Sequence, residues 1–222
     1  MVTINAIGTD TGAVGTVLTG NGVGVTPTFQ AGAGGGDVTA AGNLTDDYVV
    51  TGDGGAKGVQ TSSMKIDASG QMTNTSQPAF FASLAATRAN VTGDAFDYDV
   101  VWGVEKFDQN GDFDNVKTFT APITGRYFFI FQCAFGDLAA ANTGGFLAIK
   151  TSNNTFYLDI NPGVIESTVT STLTLSLPTF CDMDAADTSI CAIAVSGGTR
   201  IIDVLLVGAT DPRSWFQGFL VC

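Results

Sequence analysis

The segment around residue 110 carries side chains that could bind a metal ion. It places oxygen ligands at alternating positions, as calcium-binding loops do: Asp108, Asn110, Asp112 and Asp114. An EF-hand loop that began at Asp108 would need glycine in place of Phe113 and glutamate in place of Phe119. We therefore expect a polar loop between strands here, with a calcium site as the less favoured alternative.

A second acidic cluster lies near residue 185 and consists of Asp182, Asp184 and Asp187. These carboxylates could join a metal site at the axis of a trimer, because carboxylate oxygens are the ligands that calcium prefers. A solvated loop is again the favoured interpretation. We therefore predict a protein without a resident metal or other cofactor.

Few residues of this chain suit acid–base or nucleophilic catalysis. Histidine, the commonest general base, is absent from the sequence. Two carboxylates can form a glycosidase site, but nothing in the sequence places Glu105 or Glu166, the two glutamates, beside an aspartate in a cleft. We therefore predict a protein that binds or displays and has no catalytic residues. A polysaccharide depolymerase is the enzymatic alternative.

Three further residues could contact a carbohydrate or another ligand: Arg126, Trp102 and Trp215. Trp215 belongs to a strongly apolar strand, so we expect it in the core. Trp102 fits either a core position or a ligand contact. The sequence assigns no ligand-binding site beyond these candidates.

The charge balance restricts the possible partners. The chain carries 21 acidic and 9 basic residues, a net charge of −12. Binding to nucleic acids or to anionic membranes needs clustered lysine and arginine, so neither is expected as a partner. The N-terminal residues lack the basic and apolar regions of a signal peptide, and no stretch of about 18 apolar residues exists. We expect synthesis in a cytoplasm and no membrane insertion.

The four cysteines all lie in the last 90 residues of the sequence: Cys133, Cys181, Cys191 and Cys222. Their spacings match neither a CxxC motif nor a zinc ribbon. Buried free thiols are the favoured interpretation for a chain without a signal peptide. A Cys181–Cys191 disulfide is the alternative if the protein ends up outside a cell.

Residues 1–77 differ in composition from the rest of the chain. They hold 16 of the 28 glycines but only two aromatic residues, Phe29 and Tyr48. A segment with so few large side chains cannot build a core alone. We therefore predict a domain boundary near Pro78, which separates residues 1–77 from residues 78–222.

An internal repeat organises the glycine-rich region. Val17–Gly22 recurs 32 residues later as Val49–Gly54, and each copy reads as a short strand that leads into a tight glycine turn. Residues 65–72 read as a further strand, turn and strand. Such repeats are typical of fibrous arrays. An extended shaft is therefore favoured over a flexible linker, and the glycine run at 31–36 is expected to form a joint.

From Pro78 onward the chain reads as short strands with period-two alternation, which is typical of a sandwich or jelly roll. Val169–Leu177 alternates aliphatic residues with threonine and serine, so one face meets the core and the other meets water. By contrast, Tyr127–Phe135 and Trp215–Val221 are apolar on both faces. Such strands must be covered on both sides, which predicts burial against another subunit.

Five segments of the C-terminal region follow one another in a characteristic order: Pro78–Ala82, Phe107–Asp108, Phe113–Asn115, Phe119–Phe129 and Trp215–Leu220. Together they resemble the signature of the C1q and tumour-necrosis-factor-like superfamily. The resemblance implies a ten-stranded jelly roll that assembles as a tight trimer and binds ligands through its apical loops. It also implies that Pro122 and Gly125 shape a turn and that Gly218 admits a bulky neighbour. Residues 178–187 depart from the family, because they replace its short Gly-Asp turn.

Two stretches of the glycine-rich region carry a second resemblance. The first is Gly15–Gly22 followed by Thr26–Gln30, and the second runs from Asp46 to Gly70. Both resemble segments of tail-fibre and other appendage proteins of bacteriophages. Their succession ahead of a globular region implies a fibre that ends in a head.

These features predict an all-β chain, in which a trimeric C1q/TNF-like jelly-roll sandwich follows an extended β-rich fibrous shaft. The favoured function is a virion structural protein, a bacteriophage fibre or spike whose C-terminal knob mediates receptor binding, trimerisation or both. The expected partners are two further copies of the chain, other virion proteins at the N-terminal region and a host surface receptor such as a glycan. A non-viral bacterial C1q-like structural or adhesive protein is the alternative.

Overall fold

The structure, a computed structural model, describes residues 16–19, 28–31, 39–40, 44, 47–52, 54, 58–165, 171–208, 210 and 212–222. The chain divides into two compact units, Met1–Thr73 and Asn74–Cys222, which we call the N-terminal unit and the head. The domain boundary that the sequence places between residues 77 and 78 stays a prediction.

Short β-strands make up the described part of the chain as far as residue 74. They are β1 (Thr16–Thr19), β2 (Thr28–Ala31), β3 (Thr39–Ala40), β4 (Tyr48–Gly52), β5 (Gly58–Ile66) and β6 (Met72–Asn74). Strands β1 and β2 form one antiparallel hairpin, and β4 and β5 form a second. Strands β3 and β6 also pair with β5, which makes a four-stranded sheet.

The two hairpins have the same register at a spacing of 32 residues. Leu18 pairs with Phe29 in the first hairpin, and Val50 pairs with Thr61 in the second. Both members of the pair are displaced by the 32 residues that separate the sequence repeats. The sequence repeat is therefore a repeat of a hairpin. The first turn, residues 20–22, and the glycine run at 32–36 lie outside the described residues.

Two glycines of the N-terminal unit adopt the left-handed conformation that tight turns require. Gly54 has φ of 88° in the second hairpin, as the sequence predicts. Gly70 has φ of 79° in the turn that joins β5 to β6. In that turn the Asp67 carboxylate accepts hydrogen bonds from the N–H groups of Ser69 and Gln71, both at 2.9 Å. The predicted strand, turn and strand at residues 65–72 are confirmed.

The described part of the head contains twelve strands and one helical turn. They are β7 (Ala79–Leu84), β8 (Arg88–Thr92), β9 (Tyr98–Asp99), β10 (Gly103–Asp108), β11 (Phe119–Thr120), β12 (Gly125–Leu138), β13 (Gly144–Thr151), β14 (Thr155–Ile160), α1 (Pro162–Ile165), β15 (Ser171–Met183), β16 (Thr188–Ser196), β17 (Ile202–Val204) and β18 (Trp215–Leu220). Within these residues no helix is long and apolar enough to cross a membrane.

Two antiparallel sheets pack face to face in the head. In the first, here called the β12 sheet, the strand order is β10–β7–β18–β12–β15, and β17 and β8 extend the β18 side of the sheet. In the second, the β16 sheet, the order is β14–β13–β16, and both β9 and β11 pair with the other side of β16. Neighbouring strands are far apart in the sequence. The predicted all-β jelly roll is confirmed.

The core between the sheets is built mainly from aromatic side chains. Phe129 of β12 and Phe216 of β18 are fully buried, and their ring centroids lie 5.5 Å apart. The ring of Phe80 from β7 stacks on that of Phe119 at 4.9 Å. Burial of one such side chain contributes roughly 1.5–3 kcal/mol to folding. These rings are therefore a principal source of the head's stability.

Strand β15 follows the predicted alternation and continues beyond it. The side chains that pack against the core are Leu173, Leu175, Leu177, Cys181 and Met183. Residues 178–187, interpreted from the sequence as a replaced turn, are strand as far as Met183 and turn over 184–187. Pro178 is tolerated because β15 is an edge strand, paired only with β12 in the described chain. Residues 169 and 170 lie outside the described residues.

Candidate functional site

The outer surface of the β12 sheet carries large apolar side chains that a single chain leaves in contact with water. Side chains alternate along a strand, so the neighbours of the buried core residues point outwards. We call this surface the aromatic face; it consists of Phe81, Phe107, Phe128, Ile130, Pro178, Phe180, Trp215 and Phe219. The apolar character of β12 and β18 on both sides, predicted from the sequence, is confirmed.

The rings on the aromatic face form two contact groups. Phe128 of β12 lies 4.6 Å from Phe180 of β15 and 5.6 Å from Phe219 of β18, measured between ring centroids. Nearer the β7 edge, the ring of Phe81 lies 5.5 Å from that of Trp215. Such ring–ring contacts are favourable beyond simple area burial. They fix the side chains of the face before any partner binds.

Polar side chains at the margins of the aromatic face already have partners within the chain. The Ser176 hydroxyl donates to Oε1 of Gln132 at 3.0 Å, and Gln132 Nε2 donates to the carbonyl of Arg213 at 2.9 Å. At the opposite margin Arg126 Nε donates to Asp182 at 2.9 Å, and this hydrogen bond raises the pKa of Arg126. A partner could cover Gln132 and Ser176 without leaving their hydrogen bonds unmade.

The two tryptophans occupy different surroundings. Trp215 is half-buried on the aromatic face, so the expectation that it belongs to the core is wrong. The alternation of β18 turns Phe216 inward instead. Trp102, for which the sequence allows either role, is fully buried against Phe131 and Phe216. Its indole N–H has no hydrogen-bond partner among the described residues.

The first acidic segment is the loop between β10 and β11, and backbone groups occupy most of its carboxylate oxygens. Asp108 accepts hydrogen bonds from the N–H groups of residues 111–113 at 2.9–3.1 Å. Asp114 accepts three from residues 116–118 at 2.7–2.9 Å. The Asn110 amide donates to a backbone carbonyl. Across the described chain no three His, Cys, Asp or Glu residues are grouped so as to hold a metal ion.

Asp112 differs from its neighbours in this loop. Its Oδ2 is buried and has no hydrogen-bond partner in the described chain. Burial, followed by the charge of Asp108, raises the pKa of Asp112. Burial also acts to raise the pKa of Asp114, but the N–H groups of residues 116–118 outweigh it and lower that pKa. The two carboxyl groups of one loop are therefore shifted in opposite directions.

The second acidic cluster borders a cleft of about 400 Å³ at one end of the head. The cleft is lined by Thr124, Gly125, Arg126, Asn153, Asp182, Met183, Asp184 and Cys222. The Asp187 carboxylate accepts hydrogen bonds from Asn153 Nδ2 at 2.6 Å and from the Asp184 N–H at 2.8 Å. The cluster thus forms a hydrogen-bonded turn beside the ion pair of Arg126 and Asp182.

The four cysteines carry free thiols. Cys133, Cys181 and Cys191 are buried in the head, and Cys222 is exposed. Burial raises the pKa of Cys181 to about 11. It also raises the pKa values of Cys133 and Cys191. Three of the thiols therefore stand in the surroundings that the sequence analysis favours.

The two glutamates do not define a catalytic pair. Glu105 is exposed on the edge strand β10, and Glu166 lies outside the described residues. The depolymerase alternative stays a prediction. The sequence analysis did not single out Phe81, Phe107 and Phe180 as site residues. Their only signal is their place between core-facing positions, which becomes informative once the strand pairing is known.

Comparisons with known proteins gave structural likenesses only. No family model and no curated protein matches this sequence. The globular domain of zebrafish complement 1qA protein is 19% identical, has a TM-score of 0.40, and covers 65% of this chain and 98% of its own. The structure of murine APRIL at pH 5.0 is 12% identical, has a TM-score of 0.44, and covers 66% of this chain and 99% of its own. The jelly-roll assignment rests on the strand order described above.

Proposed function

We propose that this chain is a virion structural protein, one subunit of a homotrimeric bacteriophage fibre or spike. Its head would hold three chains together and attach the virion to a receptor on the host surface. The aromatic face of the β12 sheet is the observation that carries this proposal. The N-terminal unit would form the shaft and dock to other virion proteins.

The size of the aromatic face supports its burial in an assembly. Six of its residues are aromatic, and an aromatic side chain offers roughly 150–250 Å² of surface. Even with about half of that area already covered, the face exposes on the order of 500 Å² of apolar surface. Soluble monomers rarely expose larger contiguous patches, and those that do use them for association.

Further copies of the same chain are the occupants that we propose for the aromatic face. Closed symmetry about one axis covers the same surface in every copy, which removes it from water without a second protein. Phenylalanine and tryptophan are enriched at subunit interfaces. The resemblance of the sequence to trimeric C1q-like heads favours three copies over two.

The N-terminal unit supports the fibre role. Its two hairpins repeat in the same register, and a repeated unit that buries little apolar surface alone is typical of stacked arrays. A trimeric head would hold three such chains in register, which short strands specify poorly on their own. Three weak receptor sites at the end of one shaft would also bind together and gain avidity.

Two substitutions at similarly exposed aromatic residues test the assembly. Phe180 is 58% exposed on the aromatic face, and Tyr157 is 56% exposed on the outer surface of the opposite sheet. We expect Phe180→Glu to convert the trimer to monomer at micromolar concentration, because it places a charge in an apolar contact. Tyr157→Glu adds the same charge and is expected to stay trimeric in sedimentation velocity. Equal behaviour of the two variants would contradict the interface.

The virion role needs a separate test. Mass spectrometry and immunogold labelling of purified phage particles are expected to find the chain in a fibre, with the head at its free end. Absence from the particles, together with presence in bacteria that carry no phage, would instead support the non-viral C1q-like adhesive protein. That alternative has the same trimer and differs in location.

A further inference from the structure

One polar side chain, that of Gln217, stands in the middle of the aromatic face. Its cross-strand partners are Ile130 of β12 on one side and Phe81 of β7 on the other. Along β18 the neighbours on the same face are Trp215 and Phe219. An amide is therefore surrounded on four sides by apolar side chains, on a half-buried position of an inner strand.

Gln217 differs from the other glutamine on this surface. Both atoms of the Gln132 amide are engaged, one with Ser176 and one with the carbonyl of Arg213. The Gln217 amide makes no side-chain hydrogen bond to any part of the chain that the structure describes. Water satisfies it while the face is open. Covering the face removes that water, and a buried amide without a partner is costly.

The amide can find its missing partner in another copy of itself. A glutamine side chain has both a carbonyl acceptor and N–H donors, so identical residues around a symmetry axis can each donate to the next. Apolar contacts alone are not directional and allow subunits to slide or to associate in several numbers. A single buried polar residue can fix both register and subunit number, as asparagine does in coiled coils.

We infer that Gln217 selects the trimer: three Gln217 amides, one from each chain, form a closed ring of hydrogen bonds at the centre of the interface. The inference rests on the proposed assembly through the aromatic face and deepens it. The apolar residues of the face drive association, and Gln217 restricts association to one arrangement of three subunits.

Gln217→Glu tests the ring, because it is nearly isosteric and replaces each amide with a carboxyl group. Three carboxylates around one axis repel each other, so we expect monomers at about pH 8. A protonated carboxyl group can both donate and accept, so we expect trimers to return at about pH 5. Thr155→Glu, which adds the same charge to an exposed position of β14 on the opposite sheet, is expected to stay trimeric at both pH values. A Gln217→Glu trimer that persists at pH 8 would overturn the ring.

Gln217→Leu tests the selection of subunit number without adding charge. We expect this variant to remain associated but to distribute over several masses in sedimentation velocity and native mass spectrometry. A single trimeric species, as uniform as the unmodified protein, would overturn the inference while leaving the proposed assembly intact. If the unmodified protein were itself monomeric, the proposed assembly would fail and this inference with it.

Discussion

Gly218 of β18 lies directly opposite Phe129 of β12, and the aromatic ring fills the space where a side chain on residue 218 would be. A Cβ atom at Gly218 would lie 2.3 Å from Cδ1 and 2.5 Å from Cε1 of the Phe129 ring. The ring cannot withdraw, because it is fully buried against Phe216 and Phe119. The expectation that Gly218 admits a bulky neighbour is confirmed.

Gly218→Ala is therefore expected to lower the free energy of unfolding of the head by about 1–3 kcal/mol, the usual cost of overpacking a core. Urea denaturation followed by tryptophan fluorescence measures the change. Gly144→Ala is the matched control, because a Cβ there would meet only the Ser196 hydroxyl at 3.4 Å. Equal losses for the two variants would show that the contact with Phe129 is unimportant.

The loop between β10 and β11 gives a pair of opposite predictions. The lowered pKa of Asp114 means that its carboxylate stabilises the fold above the ordinary value of 3.8, and that this contribution is lost as the pH falls through the lowered pKa. Asp114→Asn should therefore lower stability at pH 7 by about 1 kcal/mol. The raised pKa of Asp112 means that its carboxylate destabilises the fold at neutral pH. Asp112→Asn should therefore raise stability at pH 7.

Both differences should disappear at about pH 2.5, where these carboxyl groups are largely protonated in either state. Thermal denaturation of the two variants and the unmodified protein at both pH values measures this. The same sign of effect for Asp112→Asn and Asp114→Asn at pH 7 would contradict the opposite pKa shifts.

The thiols should separate clearly by reactivity. Cys222 is exposed, whereas burial raises the pKa of Cys133 and removes it from solvent. Since the thiolate is the reactive form, a short treatment with iodoacetamide at pH 8 is expected to label Cys222 alone. Cys133 and Cys191 should react only in denaturant. Peptide mass spectrometry locates the label, and modification of Cys133 in the native protein would contradict its position in the core.

The strands that are apolar on both faces could be predicted from the sequence. Tyr127–Phe135 has large apolar residues at odd and even positions, and alternate residues of a strand lie on opposite faces. The structure places Phe129 in the core and Phe128 on the aromatic face. For a strand that is apolar on both sides, the alternation does not tell which face is inside. This ambiguity explains why Trp215 was wrongly expected in the core.

Long-range pairing explains the other differences between prediction and structure. The aspartates after Pro178 suggest a loop by local turn chemistry. Residues 178–183 nevertheless form strand because Gly125–Ile130 of β12 provide partners for them. The central position of Gln217 likewise depends on neighbours from β7 and β12, which are distant in the sequence. No local signal marks that residue.

Sedimentation equilibrium of the unmodified chain at micromolar concentration tests the central claim most directly. If the aromatic face is the surface through which three heads associate, a single species should appear with three times the 22.8 kDa mass of the chain. A monomer mass under these conditions would contradict the assembly and, with it, the proposed role of the head in a trimeric fibre.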